Sequence, residues 1–300
     1  MKILTGKQKR AVKVVIYGTE GIGKSTFAQN FPDPLFLDLE NGTSQLDVKR
    51  VEWERKDWKE LIDCVGALMF SDICKTIVID TADAAEMLCV EDICTKNNKT
   101  SIEDFGYGKG YQVLAENYNQ LIKACNDCVE QGKNVVIIAH SFLRKQELPD
   151  ESGAFDRYEM KLSKKVAPLL KEWADMLLFF NYKTDVYTDE KTKSKKARGA
   201  KRIMYTTHTA VLDAKNRFGL PDEMPMDFAG IAHIFETPQD ELKKKINADG
   251  VDEKRFLQII EERQPQFKAE SIAELSDKGT AWAIKYFDKI IEMMEVSTNG

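Results

Sequence analysis

The sequence predicts a mostly parallel, doubly wound α/β sheet, with a C-terminal β-hairpin and a small helical appendage. Three observations carry this. Four apolar runs recur: AVKVVIYG (11–18), PLFLDLE (34–40), KTIVIDT (75–81) and NVVIIAH (134–140). They are continuous rather than alternating, as in strands covered on both faces. Helical patterns over 24–30, 58–70 and 111–131 separate them, and alternating β and α segments give parallel strands with crossover helices.

After residue 170 the pattern changes. ADMLLFFNYKTDVYT (174–188) and RIMYTTHTAVLDAK (202–215) read as two long hairpin strands, joined by the solvated basic loop DEKTKSKKARGAK (189–201). From Pro238 onward the chain is charged, with apolar residues at helical spacing: Leu242/Ile246, Phe256/Leu257/Ile260 and Trp282/Tyr286/Ile290. The expected division is a core over 1–237 and a helical appendage over 238–300.

Composition fits this plan. The chain has 300 residues, 43% of them hydrophobic and 31% charged, with a net charge of -5. That composition excludes a disordered chain, a collagen-like repeat and a disulfide-stapled mini-protein. It also excludes a uniformly basic DNA binder, while leaving room for a local basic patch. No apolar run approaches the roughly 18 residues of a membrane span, so a cytoplasmic protein is expected. Its six cysteines then stay reduced. Cys125 and Cys128 form a CxxC with Cys89 and Cys94 upstream, but the CxxC sits in a helical pattern without knuckle residues, so small buried helix positions are expected rather than zinc.

The most specific signal is GTEGIGKST: Gly18, Thr19, Glu20, Gly21, Ile22, Gly23, Lys24, Ser25 and Thr26. It fits G-x-x-x-x-G-K-[ST] between a strand and a helix, the context of a phosphate-binding loop. The glycines let backbone N–H groups approach a β-phosphate, and the helix N-terminus favours an anion. Lys24 is expected on the β/γ-phosphates and Ser25 on Mg²⁺. In KTIVIDT, Asp80 ends an apolar strand and is the expected Mg²⁺ carboxylate, with Asp83 as the fallback or, by pattern, a helix N-cap. ATP and Mg²⁺ are therefore the expected cofactors.

Other strand ends supply further candidates. Glu40 ends LFLDLE, where a carboxylate can polarise an attacking water. His140 follows five apolar residues and is placed to report nucleotide state, or to pack on the sheet end. In DAKNRFGLP, Lys215 and Arg217 stand two apart, so both project one way from an extended segment. They suit the γ-phosphate of a neighbouring subunit, or form a solvated pair. No base-specific NKxD motif marks a GTPase, and no arginine-rich lid marks a small-molecule kinase.

In this order, the motifs resemble the RecA-like P-loop ATPases. KNRFG (215–219) is similar to a motif of bacterial RadA, and K-x-R is shared more loosely with DnaB-type helicases. The set of cradle, LDLENG, VIDT, FGYGKGY, VVIIAH and AKNRFGLP resembles the phage and prophage Sak-type single-strand annealing ATPases, over about residues 10–235. The resemblance implies Mg²⁺-dependent ATP hydrolysis, Glu40 as catalytic base, His140 as sensor, and Lys215 and Arg217 acting in trans in a homo-oligomer. It also implies DNA-facing loops after the Asp80 and His140 strands.

Those loops are about 97–111 and 141–165. The second carries Arg144, Lys145, Arg157, Lys161, Lys164 and Lys165 with Phe142, Phe155 and Tyr158, a mixture suited to phosphates and stacked bases. The hairpin loop adds Lys191, Lys193, Lys195, Lys196, Arg198, Lys201 and Arg202 against Glu190. Solvated loops carry similar charge. Two functions are thus expected: an ATP-dependent recombination protein acting on single-stranded DNA, or a nucleotide-switched KaiC-like regulator or helicase loader acting through protein partners.

Overall fold

The structure, a computed structural model, describes residues 6, 10–147, 153–188 and 195–296. The chain forms two compact units, Met1–Ile231 and Ala232–Gly300.

The first unit is built on one nine-stranded sheet. Its elements run β1 (Lys13–Gly18), α1 (Lys24–Ala28), β2 (Pro34–Asp38), β3 (Lys49–Arg50), α2 (Trp58–Leu68), β4 (Thr76–Asp80), α3 (Ala82–Lys96) and α4 (Lys109–Glu130). They continue with β5 (Asn134–Glu147), β6 (Ala154–Met160), α5 (Val166–Trp173), β7 (Met176–Thr188), β8 (Lys195–Tyr205) and β9 (Glu223–Pro225). The sheet order is β3-β2-β4-β5-β1-β7-β8-β9, with β6 paired to β5 outside that row. The strands from β3 to β7 are parallel. The strand before the glycine-rich loop and the strand ending in Asp80 are therefore separated by the strand carrying His140, the order of a RecA-like P-loop fold.

Burial on both faces explains the continuous apolar runs. Val14, Val15, Ile16 and Tyr17 are fully buried, as are Ile77, Val78, Ile79 and the run from Val135 to Ala139. α2 is capped by Asp57, whose carboxylate accepts from Glu60 N at 2.8 Å. α4 buries Leu114, Tyr118, Leu121, Cys125 and Cys128 along one stripe. Both CxxC thiols thus face the core, and burial pushes Cys128 up to about 11 and Cys125 well above its usual value. They are neutral packing groups, and no cysteine joins a metal-ligand cluster among the described residues.

Three expectations change. Residues 141–165 are not a loop throughout: β5 runs on past His140 to Glu147 and pairs antiparallel with β6, Ser141 opposite Met160 and Glu147 opposite Ala154. Polar residues at 144–147 hid this, because an arm with one exposed and one half-buried face has no apolar run. The second strand of the β7–β8 hairpin spans Lys195–Tyr205, so much of the predicted basic loop is strand and 206–215 is largely not. Finally, α3 fills a stretch without clear periodicity. Its cap is Thr81, whose side chain accepts from Ala84 N, and not Asp83.

Tyr17 ties the sheet to the segment after β8. Its buried hydroxyl donates to Asp213 O at 2.6 Å and accepts from Asp213 N at 2.9 Å. Around Asp213, Arg157 Nη2 and Lys171 Nζ each lie 2.5 Å from a carboxylate oxygen, joining β6 and α5 to the same point.

Among the described residues the second unit has four α-helices: α6 (Pro238–Ala248), α7 (Glu253–Arg263), α8 (Asp277–Lys285) and α9 (Phe287–Val296). Thr237 and Asp240 form a capping box at the start of α6, with Pro238 in its first turn. Leu242, Ile246, Phe256, Ile260, Ala283 and Ile290 bury its own core.

Tyr17→Phe would leave the part-buried N–H and carbonyl of Asp213 without their hydroxyl partner, which costs about 1–3 kcal/mol. Urea unfolding followed by circular dichroism should show a lower midpoint at unchanged slope; an unchanged midpoint would show that water replaces the hydroxyl.

Candidate functional site

The parallel register brings strand ends level. Asp38 of β2 lies opposite Asp80 of β4, and Gly18 of β1 lies opposite His140 of β5 and Phe180 of β7. The glycine-rich loop leaves β1 at this level and enters α1. Gly21 and Gly23 have φ of 70° and 104°, conformations that favour glycine and turn successive N–H groups toward a common centre. α1 has only five residues, shorter than the predicted 24–30, so these local N–H groups, more than a long helix dipole, make the cradle anion-seeking. Ile22 is fully buried and anchors the loop.

A cleft of about 330 Å³ opens over the loop and is lined by Gly23, Lys24, Ser25, Glu40, Asp80 and His140 among others. Lys24 Nζ donates to Gly18 O and Thr19 O, each at 3.0 Å, folded back on its own loop. Ser25 Oγ donates to Asp80 Oδ2 at 2.6 Å. Burial pushes the Asp80 carboxyl up to about 6 against the pull of Ser25; Asp38 and Glu40 add to the rise. Burial likewise lowers the Lys24 ammonium. The cleft thus holds an excess of carboxylates beside a buried hydroxyl–carboxylate pair.

That donor set suits a hard divalent cation, which takes oxygen ligands. Ser25 and Asp80 would hold Mg²⁺, which when bound neutralises phosphate charge. Thr19 Oγ1 is buried without a hydrogen-bond partner, an orphan that a ligand oxygen would satisfy.

Glu40 owes its position to Asp38. Asp38 is buried, and its carboxylate accepts from Glu40 N at 3.2 Å, Gly42 N at 3.1 Å and Thr43 N at 2.9 Å, and from Thr43 Oγ1 at 2.6 Å. Burial opposes its ionisation, but these donors together hold it below the usual carboxylate range. The loop is therefore fastened at its root, and Glu40 Oε2 stands 4.0 Å from His140 Nε2.

His140 is clamped from α3. Asp83 Oδ1 is 2.7 Å from its Nδ1, and Asp83 Oδ2 accepts its backbone N–H at 3.1 Å. Glu86, one turn along, accepts Ser163 N at 3.1 Å on both oxygens, and Lys161 N donates to His140 O at 2.8 Å. α3 thus grips both feet of the β5–β6 arm. The sequence reading missed this role of Asp83 and Glu86; their spacing of three was the available signal.

Lys215 and Arg217 are remote from the cleft of their own chain. Lys215 pairs with Leu177 at the start of β7, the end of the sheet opposite the cradle. Its Nζ donates to Lys171 O and Glu172 O at 3.2 Å, and Arg217 Nη1 meets buried Asp175 at 2.9 Å. Arg10 binds the same oxygen at 2.8 Å.

The expected nucleic-acid residues divide. Arg157 is not available: it is 12% exposed and spent on Asp213 and on Ala210 O, at 2.5 and 2.6 Å. Arg144 pairs with Glu159 at 3.2 Å and lies over the Phe142 ring at 5.0 Å. Lys145, Lys164 and Lys165 are exposed. Lys195, Lys196 and Arg198 lie on β8, with side chains outside the described residues, as are Glu190, Lys191 and Lys193 altogether.

The model of a family described as AAA domain matches residues 10–218. No curated protein sequence matches the chain. Among solved structures, it is similar to the KaiC-like protein PH0186 from Pyrococcus horikoshii OT3, with 13% identity, 67% of this chain and 80% of that chain covered, and a TM-score of 0.37. No helix among the described residues is long and apolar enough to cross a membrane.

The Asp83 pairing raises the His140 pKa, chiefly through the side-chain hydrogen bond and against desolvation, and the Asp83 carboxyl is held low by the same partner despite its burial. The histidine part of this stabilisation is complete below the ordinary imidazole value of about 6.5 and fades as pH rises through the raised folded value. The aspartate part fades as pH falls through its lowered one. An NMR titration of the His140 ring should give a midpoint above the ordinary value, falling back toward it in Asp83→Asn. Equal midpoints would break the clamp.

Proposed function

On the premise that the chain belongs to the AAA domain family and is a nucleotide-binding P-loop ATPase, we propose that it hydrolyses ATP with Mg²⁺ and acts on single-stranded DNA as an oligomer, in annealing or strand pairing. In this reading Gly18 to Thr26 cradle the phosphates, Lys24 unfolds from its own carbonyls onto the β/γ-phosphates, and Ser25 and Asp80 hold the ion. Glu40 accepts a proton from the attacking water. His140, clamped by Asp83, senses the result.

The observation that carries the DNA half is the β5–β6 arm. It begins at His140, bears Phe142 under Arg144, exposes Lys145 beyond them, and is gripped at both feet by the helix that follows Asp80. Cations with stacking aromatics suit a single strand, and the grip offers a route from cleft to arm. Tyr107, fully exposed with φ of 48° in the other expected loop, adds a second stacking surface.

The oligomer half rests on the far end of the sheet. Arg10, Lys13, Lys215 and Arg217 crowd the single buried carboxylate Asp175. Burial and mutual repulsion lower the pKa of Lys13 and Lys215, and Arg217 keeps 55% of its side chain exposed. A cluster richer in cations than in acids suits an incoming phosphate, here that of a neighbouring copy.

Lys24→Ala should abolish ATP binding in an equilibrium titration. Glu40→Gln should keep binding and lower turnover by about 10²–10⁴, and Arg217→Ala by about 10³–10⁵. Turnover and annealing should both respond to single-stranded DNA in the wild type and lose that response in an Arg144→Ala/Lys145→Ala double variant. ATPase rate and particle size that ignore single-stranded DNA would sink the DNA assignment.

A further inference from the structure

By sequence, Arg202 belongs with the cations of the β7–β8 hairpin loop. In the structure it stands at the hairpin's foot. It pairs with Tyr182, two residues beyond Phe180, which is level with Gly18 at the root of the cradle.

Its side chain meets the cradle itself. A Cβ built on Gly23 would lie 3.3 Å from Arg202 Nη1 and 3.4 Å from Met226 Cε. A phosphate loop admits its anion closely because its glycines lack that Cβ, so the guanidinium borders space kept clear for the ligand. Arg10, Arg157 and Arg217 each pair with a carboxylate. Arg202 is exposed and has no such partner among the described residues. Its backbone is fixed, since Arg202 O accepts from Met226 N at 3.1 Å.

The approach direction narrows the role. In the sheet, β5 and β4 lie on one side of β1, and β7 and β8 on the other. Asp80 and His140 therefore reach the cleft from one flank, and Arg202 from the opposite one. We propose that Arg202 is a nucleotide-binding residue acting in cis, its guanidinium pairing with the α/β-phosphate segment of the nucleotide held in its own chain's cradle. The γ-phosphate is left to the carboxylate flank. A guanidinium suits this task because its fork of donors matches phosphate oxygens. The assignment rests on the cradle being the ATP site.

The test is equilibrium binding of Mg-ATP and Mg-ADP to the full chain for wild type, Arg202→Ala, Arg202→Lys and Lys24→Ala, with a single-stranded oligonucleotide titrated in parallel. Arg202→Ala should weaken ATP and ADP alike, by about tenfold. Arg202→Lys should recover part of that, since it restores charge without the fork. The unliganded melting temperature should hold in both. A loss confined to ATP would move the arginine to the γ-phosphate and overturn the assignment. Unchanged nucleotide binding would also overturn it, and with weakened oligonucleotide binding would return Arg202 to the DNA-contacting set. If Lys24→Ala binds ATP like the wild type, the cradle reading fails instead, a result separable from the behaviour of Arg202.

Discussion

The close approach of β1 to β7 at Gly18 sets the rest of the site. A Cβ there would meet Phe180 O at 2.3 Å, so only glycine lets the two strands run parallel to this level. The same residue lies opposite His140 on the other side. Because both neighbours are in register at the point where β1 ends, loop, His140 strand and Asp80 strand finish on one shelf. Shifting β1 by one residue would also turn its buried side chains onto the wrong faces. The site is thus fixed by a packing contact before any ligand arrives.

Much of this was legible in the sequence because the residues concerned have few alternatives. Fully buried parallel strands must be apolar throughout, so β1, β2, β4 and the first half of β5 announced themselves. The glycine-rich loop was legible because its conformations demand glycine at fixed spacing. What stayed hidden follows a different physics. The distal half of β5 is half-buried on one side, at Phe142, Arg144 and Gln146, and exposed on the other, and two of those three inner positions are polar, so no apolar periodicity marked it. α3 carries acids such as Asp83 and Glu86 on the side turned to the arm, which blurred its helical stripe. The purpose of Arg157 depended on Asp213, 56 residues away, and no local pattern reports such a partner. In Lys195–Gly199, basic residues that read as loop belong to a strand.

The cleft is also electrostatically lopsided. Asp38 is satisfied by its own loop and serves as a fastener. Asp83 is satisfied by His140 and serves as a clamp. Asp80 and Glu40 lack comparable internal compensation, and Asp80 responds with a raised pKa. Two carboxylates are committed to holding shape and two face the cleft without such a commitment, a separation visible only in their partners.

The double grip of α3 has a consequence for how the protein can vary. With Asp83 on one foot and Glu86 beside the other, the base of the β5–β6 arm is held by the helix. Lengthening or replacing the tip then costs only the slowly growing entropy of a longer loop, while the shelf beneath stays as it is. The arm sits on a fixed mount, so a change in its length or composition leaves the glycine-rich loop and the strand ends beneath it where they are.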